Sequence, residues 1–285
     1  MVMAMAFFIV NDTLVKLVSQ SLPAGVLIMV RGLVATAVVL LALRLTRTPL
    51  LARQLFSRPV LLRSCVDGLA TLAYLLSLFQ LPIANATAIN MATPLVITLL
   101  AMVWLREQVA PAQWAAIIAG FAGVLLVIQP RGAGFNAFAW LCLLGTLLHA
   151  LRDLLTRRID PAVPSLVVTL ATAVVVTLMA GLLCLFQGWQ TPTPAQAGTL
   201  AAAAVCLAGG YYLIIRCTRV GDLSVVAPFR YTGLLMAVAL GWAVWGDVPN
   251  PLATAGIALV VAAGLYLLRR QRSLNAAAVA AAAAD

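Results

Sequence analysis

Charged side chains are scarce in this chain of 285 residues. Lys and Arg number 18, Asp and Glu number 8, and there is one His, so charged residues make up only 9% of the sequence while hydrophobic residues make up 64%. The mean hydropathy is +1.08. A soluble domain needs far more polar side chains than this to cover its surface. The composition therefore predicts a membrane protein.

Several kinds of active site are excluded by what is missing. A metalloenzyme needs His, Asp or Cys clustered at ligand spacing, and one His with five dispersed Cys does not supply such a set. There is no Gly-x-Ser-x-Gly elbow, no Walker A sequence and no Gly-x-Gly-x-x-Gly fingerprint. We expect no metal, no cofactor and no ATP drive within this chain. An intramembrane enzyme is kept as a less favoured alternative.

The chain is built from long apolar runs. A helix rises about 1.5 Å per residue, so roughly 20 apolar residues cross a hydrocarbon core about 30 Å thick. The sequence thus predicts an all-α polytopic membrane protein with ten transmembrane helices, at residues 2–20, 24–44, 60–80, 84–104, 111–129, 136–156, 164–186, 196–216, 222–245 and 250–268.

The basic residues predict an orientation. With a cytoplasmic amino terminus, fourteen arginines fall at or near the cytoplasmic ends of spans, and only Arg131 falls outside. Because positive charge stays inside, both termini are predicted to be cytoplasmic, in a bacterial inner membrane. The first run lacks a basic leader and is read as a retained span. The net charge of +10 forms no stripe with interleaved aromatic residues, so no nucleic-acid partner is expected.

An internal repeat is visible at a shift of about 140 residues. Residues 79–126 resemble residues 217–266, and in both an apolar span ends in an acidic residue, Glu107 or Asp247, followed four residues later by Pro111 or Pro251. Two copies of a five-span unit insert in opposite orientations, and such proteins commonly bind substrate at the interface between the repeats. We predict inverted five-helix repeats at 1–130 and 135–272, with a low-complexity tail at 273–285. The alternative is a duplicated structural bundle.

Three charged residues lie inside the first two spans. Such residues cost about 2.5 to 3.5 kcal/mol at the membrane centre, so they normally face a partner or a wet cavity. Asp12 lies near mid-depth, Lys16 lies one turn further on the same face, and Arg31 enters the second span at a similar level. We expect these three residues to form one cluster. Either it binds the charged groups of a substrate, or it is a buried ion-pair network that fixes packing.

Other polar residues in the spans are candidates for substrate contact. His149 either hydrogen-bonds a substrate, carries a proton or bonds a neighbouring helix, and Asp153 is expected to form a salt bridge at a helix end. Tyrosine in mid-span needs a partner for its hydroxyl group. The residues that either line a pocket for a flat or bulky side chain or serve as packing are Tyr74, Asn90, Thr93, Tyr211, Tyr212 and Tyr231.

Prolines and small residues complete the prediction. Pro94 and Pro228 are expected to break the fourth and ninth spans, where such carriers bind substrates, and Arg230 needs a partner from another helix. The small residues expected to allow close helix contact are Gly120 and Gly123 in the fifth span and Ala255, Gly256 and Gly264 in the tenth. Both spans are predicted to be scaffold or dimer-facing helices outside the substrate path.

The chain resembles the drug/metabolite transporter superfamily, in particular its EamA-type members, over about residues 2–270. The residues that carry the resemblance are Asn11 to Lys16, Arg31 with Gly32, Ala84 to Ala88 leading to Pro94, and Trp104 to Glu107 with Pro111. The second half is degenerate, with Asp247 in place of the usual Glu.

This resemblance implies a secondary transporter that works by alternating access, as a monomer or a homodimer, with a small molecule as its partner. Within the superfamily the chain is most similar to exporters of amino acids, in particular aromatic ones. A carrier of nucleobases, nucleosides or quaternary amines is the alternative.

Overall fold

The computed structural model describes residues 1–49, 51–105, 111–129, 136–156, 158–220 and 227–282. These residues form twelve α-helices and one short 3-10 helix, Ala227–Tyr231, and no strand. The α-helices in chain order are α1 (Val2–Val18), α2 (Ala24–Leu45), α3 (Ala52–Leu55), α4 (Arg58–Gln80), α5 (Ile83–Asn90), α6 (Thr93–Leu105), α7 (Pro111–Ile128), α8 (Phe138–Thr156), α9 (Ser165–Gln187), α10 (Pro194–Val220), α11 (Thr232–Trp245) and α12 (Pro251–Ala282).

Proline and glycine mark where many of these helices begin and end. Pro111, Pro194 and Pro251 are the first residues of α7, α10 and α12, where a missing backbone N–H costs no hydrogen bond. α9 and α11 end at Gly188 and Gly246, both with positive φ, which glycine adopts without a Cβ clash. Pro111 and Pro251 therefore begin matching helices in the two halves of the chain.

Within the described residues, seven helical stretches are long and apolar enough to cross a membrane, judged by length and composition. These are Ala24–Leu45, Arg58–Gln80, Ile83–Leu100, Pro111–Ile128, Phe138–Thr156, Ser165–Gln187 and Pro251–Arg270, and Phe229–Trp245 is a shorter apolar helix. α1 has 17 residues and is about 25 Å long, just short of the hydrocarbon core. The chain is thus a multi-pass membrane protein. Ten crossings and cytoplasmic termini remain predictions.

The predicted fourth span consists of two helices. α5 ends at Asn90 and α6 begins at Thr93, with a turn at Met91 and Ala92 between them. Pro94 is the second residue of α6, so the missing N–H and the restricted residue before it fall in the first turn of the new helix. The break therefore lies two residues before the proline. Pro228 lies in the 3-10 helix that precedes α11, whereas residues 221–226 lie outside the described residues.

The helices pair in a regular pattern. α1 packs on α10 and α4 packs on α8, while α2 packs on both α9 and α10, and α4 also packs on α9. α7 packs on α12. In the two predicted repeats, α1, α2, α4 and α7 correspond to α8, α9, α10 and α12. Exchanging the two halves therefore turns the α1–α10 pair into the α8–α4 pair. The α2–α9 and α7–α12 pairs stay the same. Two repeats related by a two-fold axis are expected to pack in this way. The inverted repeat stays a prediction, which this pairing supports.

The contact between α7 and α12 requires glycine. A Cβ atom on Gly256 would lie 2.5 Å from the Gly123 carbonyl oxygen, and a Cβ atom on Gly123 would lie 2.7 Å from the Gly256 carbonyl oxygen. Both obstacles are backbone atoms, which cannot rotate away. The small residues predict close helix contact for each of these spans without naming a partner, and the structure shows that the two helices contact each other.

Candidate substrate-binding site

Asp12 lies in the middle of α1 and faces hydrogen-bond donors from its own helix and from α4. The Tyr74 hydroxyl donates to Asp12 Oδ2 at 2.9 Å, and Asn11 Nδ2 donates to Asp12 Oδ1 at 2.9 Å. The positive charge of Arg31 on α2 also acts on this carboxylate. Residues of three helices therefore surround Asp12, as expected for a charged group held inside a membrane bundle.

Arg31 is buried on α2 and lies close to Asp12 without a direct ion pair. Its Nη1 donates to Asn11 Oδ1 at 3.4 Å, and Asn11 in turn donates to Asp12. Gly32, the next residue, packs against Thr177 of α9, which holds α2 close to that helix. The two opposite charges are therefore connected through an amide. Sequence reasoning noted Asn11 only as part of the family motif.

Two aromatic rings and an amide extend this group. The Tyr74 and His149 rings are tilted by 57°, with centroids 6.1 Å apart. His149 Nδ1 donates to Asn90 Oδ1 at 3.1 Å, which requires a proton on that ring nitrogen. Asn90 is the last residue of α5, so the break in the fourth span positions this contact. The structure therefore brings Asp12, Arg31, Tyr74, His149 and Asn90 together.

Tyr211 approaches the same group from α10. Its ring meets Phe8 of α1 edge to face, with centroids 5.2 Å apart. The residue is 44% exposed, although its hydroxyl interacts electrostatically with Arg31 and Arg152. Tyr211 therefore brings its ring to α1 and its hydroxyl group into the field of these charged side chains. Tyr212 lies in α10, but its side chain lies outside the described residues.

The prediction that Lys16 joins Asp12 and Arg31 is wrong. Lys16 Nζ donates instead to the carbonyl oxygen of Leu81, and it lies 5.1 Å from the centroid of the Trp245 ring. The charge of Asp247 also acts on it. Leu81 is the C-cap residue of α4, and a carbonyl at a helix end has no partner within its own helix and attracts a cation. Lys16 therefore links the ends of α1, α4 and α11.

Three further candidates lie apart from the Asp12 group. Thr93 Oγ1 donates to the Asn90 backbone carbonyl at 2.6 Å and so closes the break between α5 and α6. Arg230 is exposed in the 3-10 helix. Tyr231 is buried beside Gly264 of α12, and its hydroxyl has no hydrogen-bond partner within the described part of the chain. At these positions, Thr93 and Tyr231 make contacts that hold helices together.

Sequence reasoning missed an ion-pair network between α4 and α8. Asp67 accepts from Arg63 Nη1 and from Arg152 Nη1, both at 2.9 Å, and Arg152 Nη2 also contacts Asp153 Oδ1 at 2.9 Å. Arg63 further donates to Thr172 of α9. The salt bridge expected of Asp153 is present. Arg152 was considered only as an orientation signal and as a neighbour of Asp153, and Arg63 only as an orientation signal. Arg63 and Asp67 nevertheless stand four residues apart inside an apolar span.

Helices paired across the two halves, with buried charges of both signs and aromatic rings beside them, are typical of membrane transport proteins. The chain belongs to the EamA-like transporter family, whose model matches residues 1–129 and again residues 137–269. This finding confirms the resemblance to the superfamily. It also makes the chain a membrane transporter.

Named relatives carry different substrates. The riboflavin transporter of Rhizobium johnstonii is 31% identical over 211 residues, which are 74% of this chain and 70% of that protein. The pseudopaline exporter CntI of Pseudomonas aeruginosa is 26% identical over 279 residues, 95% of each chain. The S-adenosylmethionine uptake transporter of Rickettsia prowazekii is 22% identical over 191 residues, 67% of this chain and 65% of that protein.

A solved crystal structure shares the fold. It has a TM-score of 0.60 and 20% sequence identity, and the match covers 94% of this chain and 98% of that one. At this identity the likeness shows the fold alone. None of the relatives described above is named as an amino-acid exporter, so the expected similarity to aromatic amino-acid exporters is not supported.

Proposed function

We propose that this protein is a secondary transporter of the bacterial inner membrane that moves small zwitterionic metabolites, amino acids among them, by alternating access. The observation that supports this proposal is the presence of Asp12 and Arg31, two opposite charges, in one site. A substrate carboxylate pairs with the planar guanidinium group, and a substrate ammonium group pairs with the carboxylate. A zwitterion satisfies both at once.

The way in which these charges are held favours ligand binding over simple packing. Asn11 lies between Asp12 and Arg31, and its hydrogen bond to Arg31 is long, at 3.4 Å. A network that only fixed packing would gain more from a direct, bidentate ion pair. A zwitterion can take the place of the Asn11 amide and meet each charged group at closer range.

The aromatic residues suggest what the rest of the substrate looks like. Tyr74, His149 and Tyr211 border the charged pair, and flat groups stack favourably against such rings. Riboflavin and S-adenosylmethionine, which two relatives are named for, each contain a flat ring system. The relative that matches this chain over 95% of its length is an exporter, which favours export as the direction.

A second candidate function is transport of a neutral flat heterocycle such as riboflavin. It is favoured by the 31% identity to a riboflavin transporter and by the Tyr74 and His149 rings. In this case Asp12 and Arg31 serve mainly to hold α1, α2 and α4 together. The two candidates differ in whether the substrate needs both a carboxylate and an ammonium group.

The test is counterflow in proteoliposomes with no energy source. The substrate panel contains phenylalanine, threonine, S-adenosylmethionine and riboflavin, because these molecules differ in charge and in ring size. We expect counterflow of phenylalanine or S-adenosylmethionine by the wild-type protein. Asp12→Asn and Arg31→Gln should each reduce this counterflow at least tenfold.

Stability must be measured in the same experiment. Removing one member of a buried charge pair can destabilise a protein by about 3 to 5 kcal/mol. The double variant Asp12→Asn with Arg31→Gln removes both charges, so it should keep a near-normal melting temperature and remain inactive. Arg44→Gln, at an exposed arginine near the end of α2, is the matched control. Counterflow of riboflavin alone would support the second candidate, and no counterflow of any substrate would reject both.

A further inference from the structure

The ion-pair network of Asp67, Arg63, Arg152 and Asp153 lies next to the proposed site along two helices. On α4, Asp67 precedes Tyr74 by about two turns, or about 10 Å. On α8, Arg152 follows His149 by about one turn. Tyr74 and His149 belong to the proposed site, so the network continues it toward the end of α8.

Tyr211 is under the influence of both groups of charges. Its hydroxyl group feels the charges of Asp67 and Arg152 in the network and the charge of Arg31 in the proposed site. The guanidinium groups of Arg31, inside the proposed site, and of Arg152, nearer the end of α8, therefore both act on the Tyr211 hydroxyl.

Arg152 is held so that one side of its guanidinium group can exchange partners. Nη1 is fixed by Asp67, whose side chain is only 6% exposed. Nε and Nη2 both contact a single oxygen atom, Oδ1 of Asp153, at 2.9 Å. The Asp153 side chain is 40% exposed. Nε and Nη2 form the fork that binds a carboxylate through two oxygen atoms, so Asp153 occupies a bidentate position with one oxygen.

We propose that Arg152 is a second carboxylate-binding subsite, at which a metabolite carboxylate displaces Asp153 before it moves past Tyr211 to Arg31. This proposal rests on the proposed function and specifies its substrate class as carboxylate-bearing metabolites. Asp67 and Arg63 are positioning residues, because they hold Arg152 between α4 and α8. Two arginines along the proposed route let the carboxylate remain paired while it enters the membrane, where an unpaired charge is costly.

The decisive variant is Arg152→Lys, tested in counterflow of phenylalanine and of phenylalaninamide. Lysine keeps the positive charge beside Asp67 but loses the planar fork. We expect the half-saturation concentration for phenylalanine to rise about tenfold, with little change for the amide, which has no carboxylate. If both compounds keep their wild-type half-saturation concentrations, the subsite does not exist. Where S-adenosylmethionine is the better substrate, its carboxyl methyl ester replaces the amide in the comparison.

A charge swap separates binding from packing. The double variant Asp67→Arg with Arg152→Asp keeps an ion pair between α4 and α8 but removes the cation from α8. We expect it to restore the melting temperature lost in Arg152→Gln while carboxylate counterflow stays at least tenfold below wild type. Recovery of counterflow to within twofold of wild type would make the pair purely structural. If the swapped protein does not fold, Arg152→Lys decides the question.

The failure of this inference is distinguishable from the failure of the proposed function. Wild-type protein that transports no member of the panel rejects the proposed function, and the subsite with it. Wild-type protein that transports phenylalanine and its amide equally well, or riboflavin alone, remains a transporter but has no carboxylate subsite. Arg44→Gln again controls for a general loss of positive charge, because Arg44 is exposed and stands outside the network.

Discussion

At the residue scale, the environment of Asp12 depends on single hydrogen bonds. Tyr74 and Asn11 donate to its two oxygen atoms, and the Arg31 charge lies close by. A hydrogen bond to a charged group contributes about 1.5 to 3 kcal/mol. Tyr74 also presents its ring to His149, so its hydroxyl and its ring have separable roles.

Tyr74→Phe and Tyr74→Ala should therefore have different effects. Phenylalanine removes the donor to Asp12 but keeps the ring, so we expect a lower melting temperature and similar losses of phenylalanine and threonine transport. Alanine also removes the ring surface, so phenylalanine transport should fall further than threonine transport, because lost contact area scales with the substrate side chain. Thermal unfolding in detergent and counterflow measure both effects.

Tyr266→Phe is the control for this series, because Tyr266 is an exposed tyrosine on α12. It should match wild type in both measurements. Equal losses of phenylalanine and threonine transport in Tyr74→Ala would place the Tyr74 ring in the packing and would remove the support for a substrate with a flat side chain.

Individual residues also show which contacts the sequence alone does not predict. The spacing of Asp12 and Lys16 predicts a shared helix face, and on this basis the two were expected to act together. Spacing does not indicate where a long side chain ends, and the Lys16 ammonium group instead reaches the free carbonyl of Leu81. The contacts between Asp12, Arg31 and Tyr74 join residues of three helices. Their residue types marked them as candidates, but only the packing of those helices shows which of them meet.

At the element scale, helix positions follow closely from the sequence. Each of the ten predicted spans overlaps helix in the described residues, because apolar runs and helix-starting prolines such as Pro111 and Pro251 are local signals. The break between α5 and α6 falls two residues before Pro94, since the proline belongs to the first turn of the second helix. The small residues of α7 and α12 indicated close contact with another helix, and only the tertiary packing shows that the two helices pair with each other.

Two Gly→Ala substitutions, one in the contact between α7 and α12 and one outside it, are expected to change the stability of the protein in opposite directions. Gly256→Ala places a methyl group 2.5 Å from the Gly123 carbonyl oxygen, so we expect destabilisation of about 1 to 3 kcal/mol and a lower melting temperature. A Cβ atom on Gly198, within α10, meets nothing within 4 Å, so Gly198→Ala should raise stability by up to about 1 kcal/mol through helix propensity.

Both variants are compared with wild type by thermal unfolding in the same detergent. Since the two substitutions add the same methyl group to a helical glycine, a difference between them reports the space at each site. An unchanged melting temperature for Gly256→Ala would mean that α7 and α12 separate readily, and that the small residues do not hold them together.

At the scale of the whole molecule, the pairing of helices and the family matches agree. The family model matches residues 1–129 and 137–269 in turn, and the helices of one half pack on those of the other in exchangeable pairs. With five crossings in each repeat, the second repeat is inserted upside down relative to the first. The inverted repeat therefore predicts on which side of the membrane each loop lies, and this can be tested by experiment.

Reporter fusions along the chain provide this test. The excess of arginine at alternate connections predicts that fusions after Thr46, Arg158 and Arg272 report the cytoplasm, and that a fusion after Gly188 reports the outside. The pair at Arg158 and Gly188 is the most informative, because these residues stand on opposite ends of α9, a helix long and apolar enough to cross the membrane. The Thr46 fusion, which follows α2 in the first half, serves as the internal reference for a cytoplasmic signal. If Arg158 reports the outside while Thr46 reports the cytoplasm, the number of crossings between them is odd rather than even. The two halves would then share one orientation, and a site formed between inverted repeats would have to be abandoned.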